Sequence, residues 1–395
     1  MGAIRGFTLR THPIHRPLLL ASVFIIQFLA VYDLALMFAI GPTISLRYGI
    51  PSENISLLHT GYFMVGIAVP LFGKLSAKLG LLRTILIGTS FYAAGMIGIA
   101  FSENMFLYAA AKLLAGVGYS IILAMMPNFV LMIVGDEKAT LGSAILKFSF
   151  ALAFFIAPFS GYKMYVLFGP RLLYVLLSAL MSAASILFLV TADSTYPIPR
   201  RAKDTSLIRE SRPKTRLLVI MAILSPAPIL FVSNFYSIYL SDLGIAGERI
   251  SLYYTVMGLG SILSAFFILF ASTRFGKRKS TLLGLAVATL SLVFIMKPAG
   301  PMLYLSLFFF YFGFDLFTGL MYVISALKYK QERGALIPRM AMGVSIGMVG
   351  TNYLAKLVYT LHGFRANVLL GALCMILCIL IIKNVFFNAK EQESI

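Results

Sequence analysis

The sequence contains no tryptophan, only two cysteines and little charge: Asp, Glu, Lys and Arg together make up 12% of its 395 residues. A soluble domain carries about 25% charged residues. A chain that is 60% hydrophobic has no means of keeping its surface in water, so lipid must be its main solvent. Cys374 and Cys378 stand one helical turn apart in the last apolar run, which excludes a disulfide framework and leaves them as packing residues. With tryptophan absent, any aromatic belt at the membrane interfaces falls to the 20 tyrosines. No metal-ligand cluster is expected from the four histidines, since His12 and His15 share a short tail and the other two are isolated. A nucleotide-binding loop is also missing: Gly276-Lys277-Arg278 lacks both the preceding glycine spacing and a following Ser or Thr. Nor is there a nucleophile elbow or comparable catalytic set. The expectation is a protein that is not an enzyme, carries no cofactor and draws its energy from an ion gradient.

What is present is a series of apolar runs, each of roughly 20 residues, the length a helix needs to cross the hydrocarbon core. They lie near residues 18–44, 55–73, 84–101, 105–134, 141–168 and 172–192, then 217–241, 250–271, 281–297, 302–327, 339–361 and 366–387. The runs are too long for the alternating strands of a membrane barrel, which predicts an all-α bundle of twelve spans. The first run is too long for a cleavable signal. A net charge of +19 raises the question of nucleic acid. However, about 24 of the 33 basic residues fall at the two ends and in every second loop, the positive-inside pattern. That places both termini in the cytoplasm of a cell membrane, with membrane lipid as the partner of the basic stretch Arg200–Arg216. No aromatic residues interleave with these charges, so no nucleic acid is expected. The sequon at Asn54-Ile55-Ser56 abuts a span and is expected to go unused.

The chain also repeats itself. Gly49, Ile50, Glu53, Ile55, Ser56, Leu57 and Thr60 recur as Gly244, Ile245, Glu248, Ile250, Ser251, Leu252 and Thr255. Gly118-Tyr119-Ser120 matches Gly313-Phe314-Asp315, and Glu137-Lys138 matches Glu332-Arg333. A constant long offset predicts two six-span halves, 1–192 and 217–395, joined by a polar linker at 193–216. Parallel halves of this kind hold a substrate site near the midplane between them, so one chain is sufficient and a monomer is expected.

With the duplication established, the chain resembles the major facilitator superfamily over nearly its whole length. Gly73-Lys74-Leu75-Ser76-Ala77-Lys78-Leu79-Gly80-Leu81-Leu82-Arg83 is similar to that family's loop signature, and Ser272-Thr273-Arg274-Phe275-Gly276-Lys277-Arg278 stands in the pseudo-symmetric loop. The resemblance implies gating roles for Gly73, Lys78, Gly80, Arg83, Arg274 and Gly276. The family's acidic position is Ala77 in one loop and Thr273 in the other, which implies a weaker cytoplasmic latch; topology alone would also account for the basic residues. Lys112-Leu113-Leu114-Ala115-Gly116-Val117-Gly118 resembles the family's fourth-helix pattern, with Lys in place of the usual Arg. Ala153, Ala157, Pro158 and Gly161 form a degenerate version of the fifth-helix pattern of the family's antiporters; close helix packing is the alternative reading.

Ionisable residues inside a span cost at least about 2.5 kcal/mol each at its centre, so each needs a reason. Asp33 in the first span and Lys112 in the fourth lie at similar depth, which predicts a pair. The resemblance places both spans on the central cavity, with Tyr119 on the same helical face as Lys112. Asp315 lies mid-span in the tenth and is expected to hold a proton or a cationic group. Lys356 in the eleventh, one turn from Asn352, is expected to pair with Asp315, to meet an anionic substrate, or to snorkel from a position nearer the outer end of the span. Lys147, about 12 Å from the start of its span, is expected to snorkel to the near interface. Further polar candidates for substrate or proton binding are His59, Tyr62, Asn234 and, less specifically, Ser237, Tyr253 and Tyr254.

The function these features point to is a secondary transporter of a small molecule, coupled to protons through Asp33 or Asp315 and working as an exporter. Uptake of a small anionic or polyhydroxyl solute and lipid flipping remain open alternatives, as does a membrane receptor or scaffold without turnover.

Overall fold

A computed structural model describes residues 15–51, 54, 60, 62–135, 139–192, 213–296, 301–329 and 333–386. Every regular element among these residues is helical, as lipid demands of a chain that must satisfy its own backbone. The elements are α1 (His15–Tyr48), α2 (Val69–Leu79), α3 (Leu81–Ala100), α4 (Met105–Val134), α5 (Ala139–Ile156) and α6 (Tyr162–Thr191). They continue with α7 (Pro213–Leu224), α8 (Ala227–Asp242), α9 (Gly247–Phe266), α10 (Lys277–Ile295), α11 (Pro301–Lys328) and α12 (Arg333–Phe386). A 3₁₀ turn, Val65–Ala68, leads into α2, and π-helical turns follow α5 at Ala157–Gly161 and α9 at Phe267–Ala271.

Nine helical stretches among the described residues are long and apolar enough to cross a membrane. Two of them are double. The stretch Leu141–Thr191 is interrupted at Gly169 (φ 78°), just before Pro170, and Arg339–Phe386 is interrupted at Gly363 (φ 75°). Left-handed backbone here is open to glycine at no steric cost, which is how one continuous helix becomes two spans. The span expected at 55–73 is described at Thr60 and from Tyr62 onward, while residues 55–59 and 61 lie outside the described residues. So do most of the 193–216 linker and the Glu137-Lys138 and Glu332 members of the repeat.

The duplication read in the sequence reappears in the backbone. Gly49 (φ 61°) and Gly244 (φ 76°) end the first span of each half, and the same closing hydrogen bond follows, Ile50 N to Ser45 O at 3.2 Å and Ile245 N to Leu240 O at 3.0 Å. Within each half a glycine crossing brings two helices into backbone contact. A methyl on Gly118 of α4 would lie 2.7 Å from Tyr92 Cβ of α3, and one on Gly284 of α10 would lie 2.6 Å from the Gly313 carbonyl oxygen of α11. The fold is thus an all-α membrane bundle of two pseudo-symmetric helical halves. Its outward faces carry exposed apolar side chains such as Leu180, Val190 and Leu290, as lipid contact requires.

The halves meet most closely at the end of the bundle where α1 finishes. Phe38 stacks on Tyr254 with centroids 6.4 Å apart, Phe154 lies 5.9 Å from Tyr311, and Lys163 Nζ is 3.5 Å from Glu248 Oε1. A methyl on Gly258 would sit 2.5 Å from the Phe154 carbonyl carbon, so α5 and α9 cross in near backbone contact. Ala153, Ala157, Pro158 and Gly161 are all buried at this crossing and its π turn, with a methyl on Gly161 meeting Leu36 at 2.9 Å.

The tyrosines correct one expectation. Rather than serving only as a belt, Tyr62, Tyr92, Tyr108, Tyr119, Tyr174, Tyr236, Tyr254 and Tyr311 are buried. Inside a helical bundle a phenol fills space like an aromatic while its hydroxyl can reach a backbone carbonyl, as Tyr92 does in donating to Leu29 O at 2.8 Å.

Candidate functional site

Two ion pairs lie within the bundle, each with a buried carboxylate. In the first, Lys112 Nζ on α4 donates to both Asp33 oxygens on α1, at 2.7 and 2.8 Å, and neither residue is exposed to any measurable extent. The pairing expected from equal depth is therefore present. What surrounds it was not expected. The Lys112 ammonium lies 5.5 Å from the ring centroid of Tyr174, 5.8 Å from Tyr108 and 5.9 Å from Tyr62. Tyr119 packs on Tyr62 with centroids 4.7 Å apart, and the Tyr62 hydroxyl donates to Ala30 O at 3.5 Å. Three ring faces within cation–π range and one bidentate carboxylate account for a lysine that is wholly out of water. Gly116 lets α4 approach this closely, since a methyl there would stand 2.7 Å from the Tyr62 carbonyl oxygen.

The second pair joins the two halves. Lys147 Nζ on α5 lies 2.5 Å from Asp315 Oδ1 on α11, and Ser261 on α9 donates to the other oxygen, Oδ2. Asp315 is 2% exposed and both its oxygens are answered, while the Lys147 side chain is 16% exposed. Two expectations are corrected here. Lys147 does not snorkel to the near interface: it reaches inward, its ammonium 4.8 Å from the Phe150 centroid, because a buried carboxylate from the facing half lies within its reach. Lys356 does not pair with Asp315. It stands half-buried on α12 and makes no ion pair among the described residues.

The repeat shows what is particular about this second pair. Asp315 and Ser261 stand at the offset of Ser120 and Gly66 in the first half. There, a methyl on Gly66 would lie 3.0 Å from Ser345 Cβ of α12 and 3.8 Å from Ser120 Oγ. The same three-helix junction thus occurs twice, neutral on one side and charged on the other.

A third polar group lies within the second half. Asn234 Nδ2 on α8 donates to Asn352 Oδ1 on α12, and both residues are buried. Nearby, Ser233 Oγ and the Tyr311 hydroxyl are 2.9 Å apart, and the Tyr254 hydroxyl donates to Ser233 O. His59 lies outside the described residues. In the loops, Gly80 (φ 87°) and Gly276 (φ 83°) make the turns between helices. Lys78, Arg83 and Arg274 form no ion pair among the described residues, and Gly73 has open space where a side chain would stand.

Of the residues singled out from sequence, Asp33, Lys112, Tyr62, Tyr119, Asp315, Asn234 and Asn352 are all buried. Sequence reasoning gave Lys147 the wrong environment and passed over Ser261, Tyr92, Tyr108 and Tyr174. The available signal was charge parity: with Asp33 matched to Lys112, Asp315 required a cation, and two lysines competed for it.

Among the described residues no group of His, Cys, Asp and Glu is arranged to hold a metal ion. Comparison with known proteins identifies the architecture. Residues 23–239 and 218–394 each match the family described as Major Facilitator Superfamily. No curated protein matches the sequence. Among solved structures, the human organic anion transporter MFSD10 (TETRAN) superposes with a TM-score of 0.74 over 94% of this chain and 100% of that one, at 15% sequence identity. A likeness at that identity speaks for the fold, while the two family matches between them span both halves. The chain belongs to the major facilitator superfamily: it is a multi-pass membrane protein and a secondary transporter of a small molecule, not an enzyme.

Proposed function

We propose that this transporter is proton-coupled, that Asp315 carries the coupling proton, and that it works as an exporter in a cell membrane with both termini cytoplasmic, one chain sufficing. The observation that carries the coupling is the bridge from Lys147 in one half to Asp315 in the other, with Ser261 on the second carboxylate oxygen. Alternating access separates the halves on one side and closes them on the other. A bridge between halves must break in that movement, and parting the charges in a low-dielectric interior is costly unless one of them is neutralised. A proton on Asp315 removes the attraction, leaves a carboxylic acid that still accepts from Ser261, and frees Lys147 to turn toward water. Asp33 is less suited to this task, because its partner lies in the same half and both are sealed behind tyrosine rings. The export direction rests on the antiporter-like residues Ala153, Ala157, Pro158 and Gly161, which sit where α5 crosses α9.

The test is accumulation of ethidium in everted membrane vesicles under an imposed pH gradient. Wild type should accumulate the dye in response to an acid interior, and Asp315→Asn should lose the response while still exchanging labelled for unlabelled dye. Gradient-driven accumulation that persists in Asp315→Asn would refute the assignment.

One observation favours a second reading, transport of an organic anion. Both intramembrane aspartates are committed to lysines, which leaves Lys356 as an intramembrane cation without an ion-pair partner among the described residues. The human structure of similar fold carries the name of an organic anion transporter. If this reading holds, a labelled organic anion, and not ethidium, answers the gradient, and Asp315→Asn still uncouples it.

A further inference from the structure

The buried amide of Asn352 is only half used. Its Oδ1 accepts from Asn234, but its Nδ2, with the residue fully buried, has no hydrogen-bond partner among the described residues. An amide donor shut away from water without an acceptor costs on the order of 1–3 kcal/mol, so a fold that retains one needs a reason. Its position supplies one. Ser345, Asn352 and Lys356 fall at i, i+7 and i+11 along α12, so they share one stripe of the helix. The stripe's direction is known from Ser345, which abuts Gly66 of the first half. Asn352 therefore lies two turns beyond that contact between the halves on the same stripe of α12, with its amide against Asn234 of α8. One further turn on stands Lys356, whose Cβ is about 5–6 Å from that of Asn352 at this spacing.

We infer that Asn352 and Lys356 form an anion-binding subsite on the second half, taking the carboxylate of an organic monoanion, with Asn234 as a positioning residue. A carboxylate has two acceptor oxygens: one meets the unanswered Nδ2–H of Asn352, and the other meets the ammonium of Lys356. Asn234 fixes the rotation of the amide, because its donation to Oδ1 directs the Nδ2 end away from α8. The remaining surroundings fit an apolar or aromatic body, with Phe235 and Tyr359 packed at 4.9 Å between α8 and α12. The facing charges are accounted for: Asp242 of α8 accepts from the Tyr359 hydroxyl at 2.9 Å, and Asp33 and Asp315 are each paired with lysine. No carboxylate of these elements competes for Lys356 among the described residues. This subsite rests on the second, organic-anion reading of the transporter and deepens it by naming the substrate class, and it does not depend on which residue carries the proton.

The experiment is equilibrium binding to the purified full-length protein in detergent, where no gradient exists and coupling plays no part. Benzoate and its neutral analogue benzamide serve as probes, with the thermal midpoint followed against ligand concentration. Benzoate should stabilise wild type and benzamide should not. Asn352→Asp retains the acceptor for Asn234 but replaces the donor with negative charge, and should weaken benzoate binding at least tenfold. Lys356→Gln should do the same, while Asn352→Ala serves as the neutral control for lost hydrogen bonding. Failure of benzoate to stabilise wild type, equal stabilisation by benzamide, or benzoate affinity unchanged in either Asn352→Asp or Lys356→Gln overturns the subsite. Gradient-driven transport that persists in Asp315→Asn, with benzoate binding intact, would instead overturn the role given to Asp315 and leave the subsite standing.

Discussion

Removing one partner of the Asp33–Lys112 pair should harm the protein far more than removing both. At 2.7 Å the two charges attract by about 6 kcal/mol at an effective dielectric of about 20. Against this stands a desolvation penalty of several kcal/mol for each ion, and both residues are wholly buried. The terms nearly cancel for the intact pair, but they cannot cancel when one charge is left alone. Asp33→Asn strands the Lys112 ammonium among the rings of Tyr62, Tyr108 and Tyr174, and Lys112→Met strands the carboxylate. Each single change should cost about 3–5 kcal/mol, the range for breaking a buried pair. The double variant, Asp33→Asn together with Lys112→Met, carries no charge at this site and keeps similar volumes. It should recover to within about 2 kcal/mol of wild type. The assay is reversible unfolding in mixed micelles of a mild detergent and dodecyl sulfate, followed by tyrosine fluorescence, run as a double-mutant cycle. A double variant as unstable as the sum of its singles would refute the reasoning, as would single variants that lose less than about 1 kcal/mol.

Other consequences follow from the same geometry. Gly118→Ala and Gly313→Ala stand at matching crossings, where a methyl meets Tyr92 Cβ at 2.7 Å and Ala288 N at 2.7 Å. Each should destabilise by about 1–3 kcal/mol, and the two by similar amounts, as read from unfolding midpoints; an effect in only one half would contradict the structural equivalence. The Lys163–Glu248 contact is 3.5 Å long and both side chains are largely exposed, so Lys163→Ala should change stability by less than about 1 kcal/mol. Cysteines at positions 66 and 345 should cross-link the halves once the helices part by a few tenths of an ångström, since a Cβ at position 66 lies 3.0 Å from that of residue 345, just inside the spacing of a disulfide. In a background with Cys374 and Cys378 replaced, oxidation should arrest transport and reductant should restore it. Transport that continues through the cross-link would show that the halves do not part at this junction.

Much of the architecture was legible before any coordinate. The apolar runs declare helices because lipid leaves the backbone no outside partner, and the offset between Gly49 and Gly244 declares the duplication because both must end a span in left-handed backbone. The Asp33–Lys112 pair could be read from depth alone, since helical rise converts sequence position into height in the membrane. Height does not, however, give azimuth or the distance between helices. Asp315 had two lysines to choose from, and Lys356 was as eligible as Lys147 until the α5–α11 packing brought the latter within 2.5 Å. The tyrosine cage is beyond sequence for the same reason, being assembled out of residues 62, 108 and 174 that no spacing rule connects. Composition and periodicity were thus enough to set the all-α membrane fold and the repeat, because these depend on solvent and on order along one chain. Which charge answers which, and which donor goes unanswered, came only with the packed bundle, because those are set by how the faces of separate helices meet.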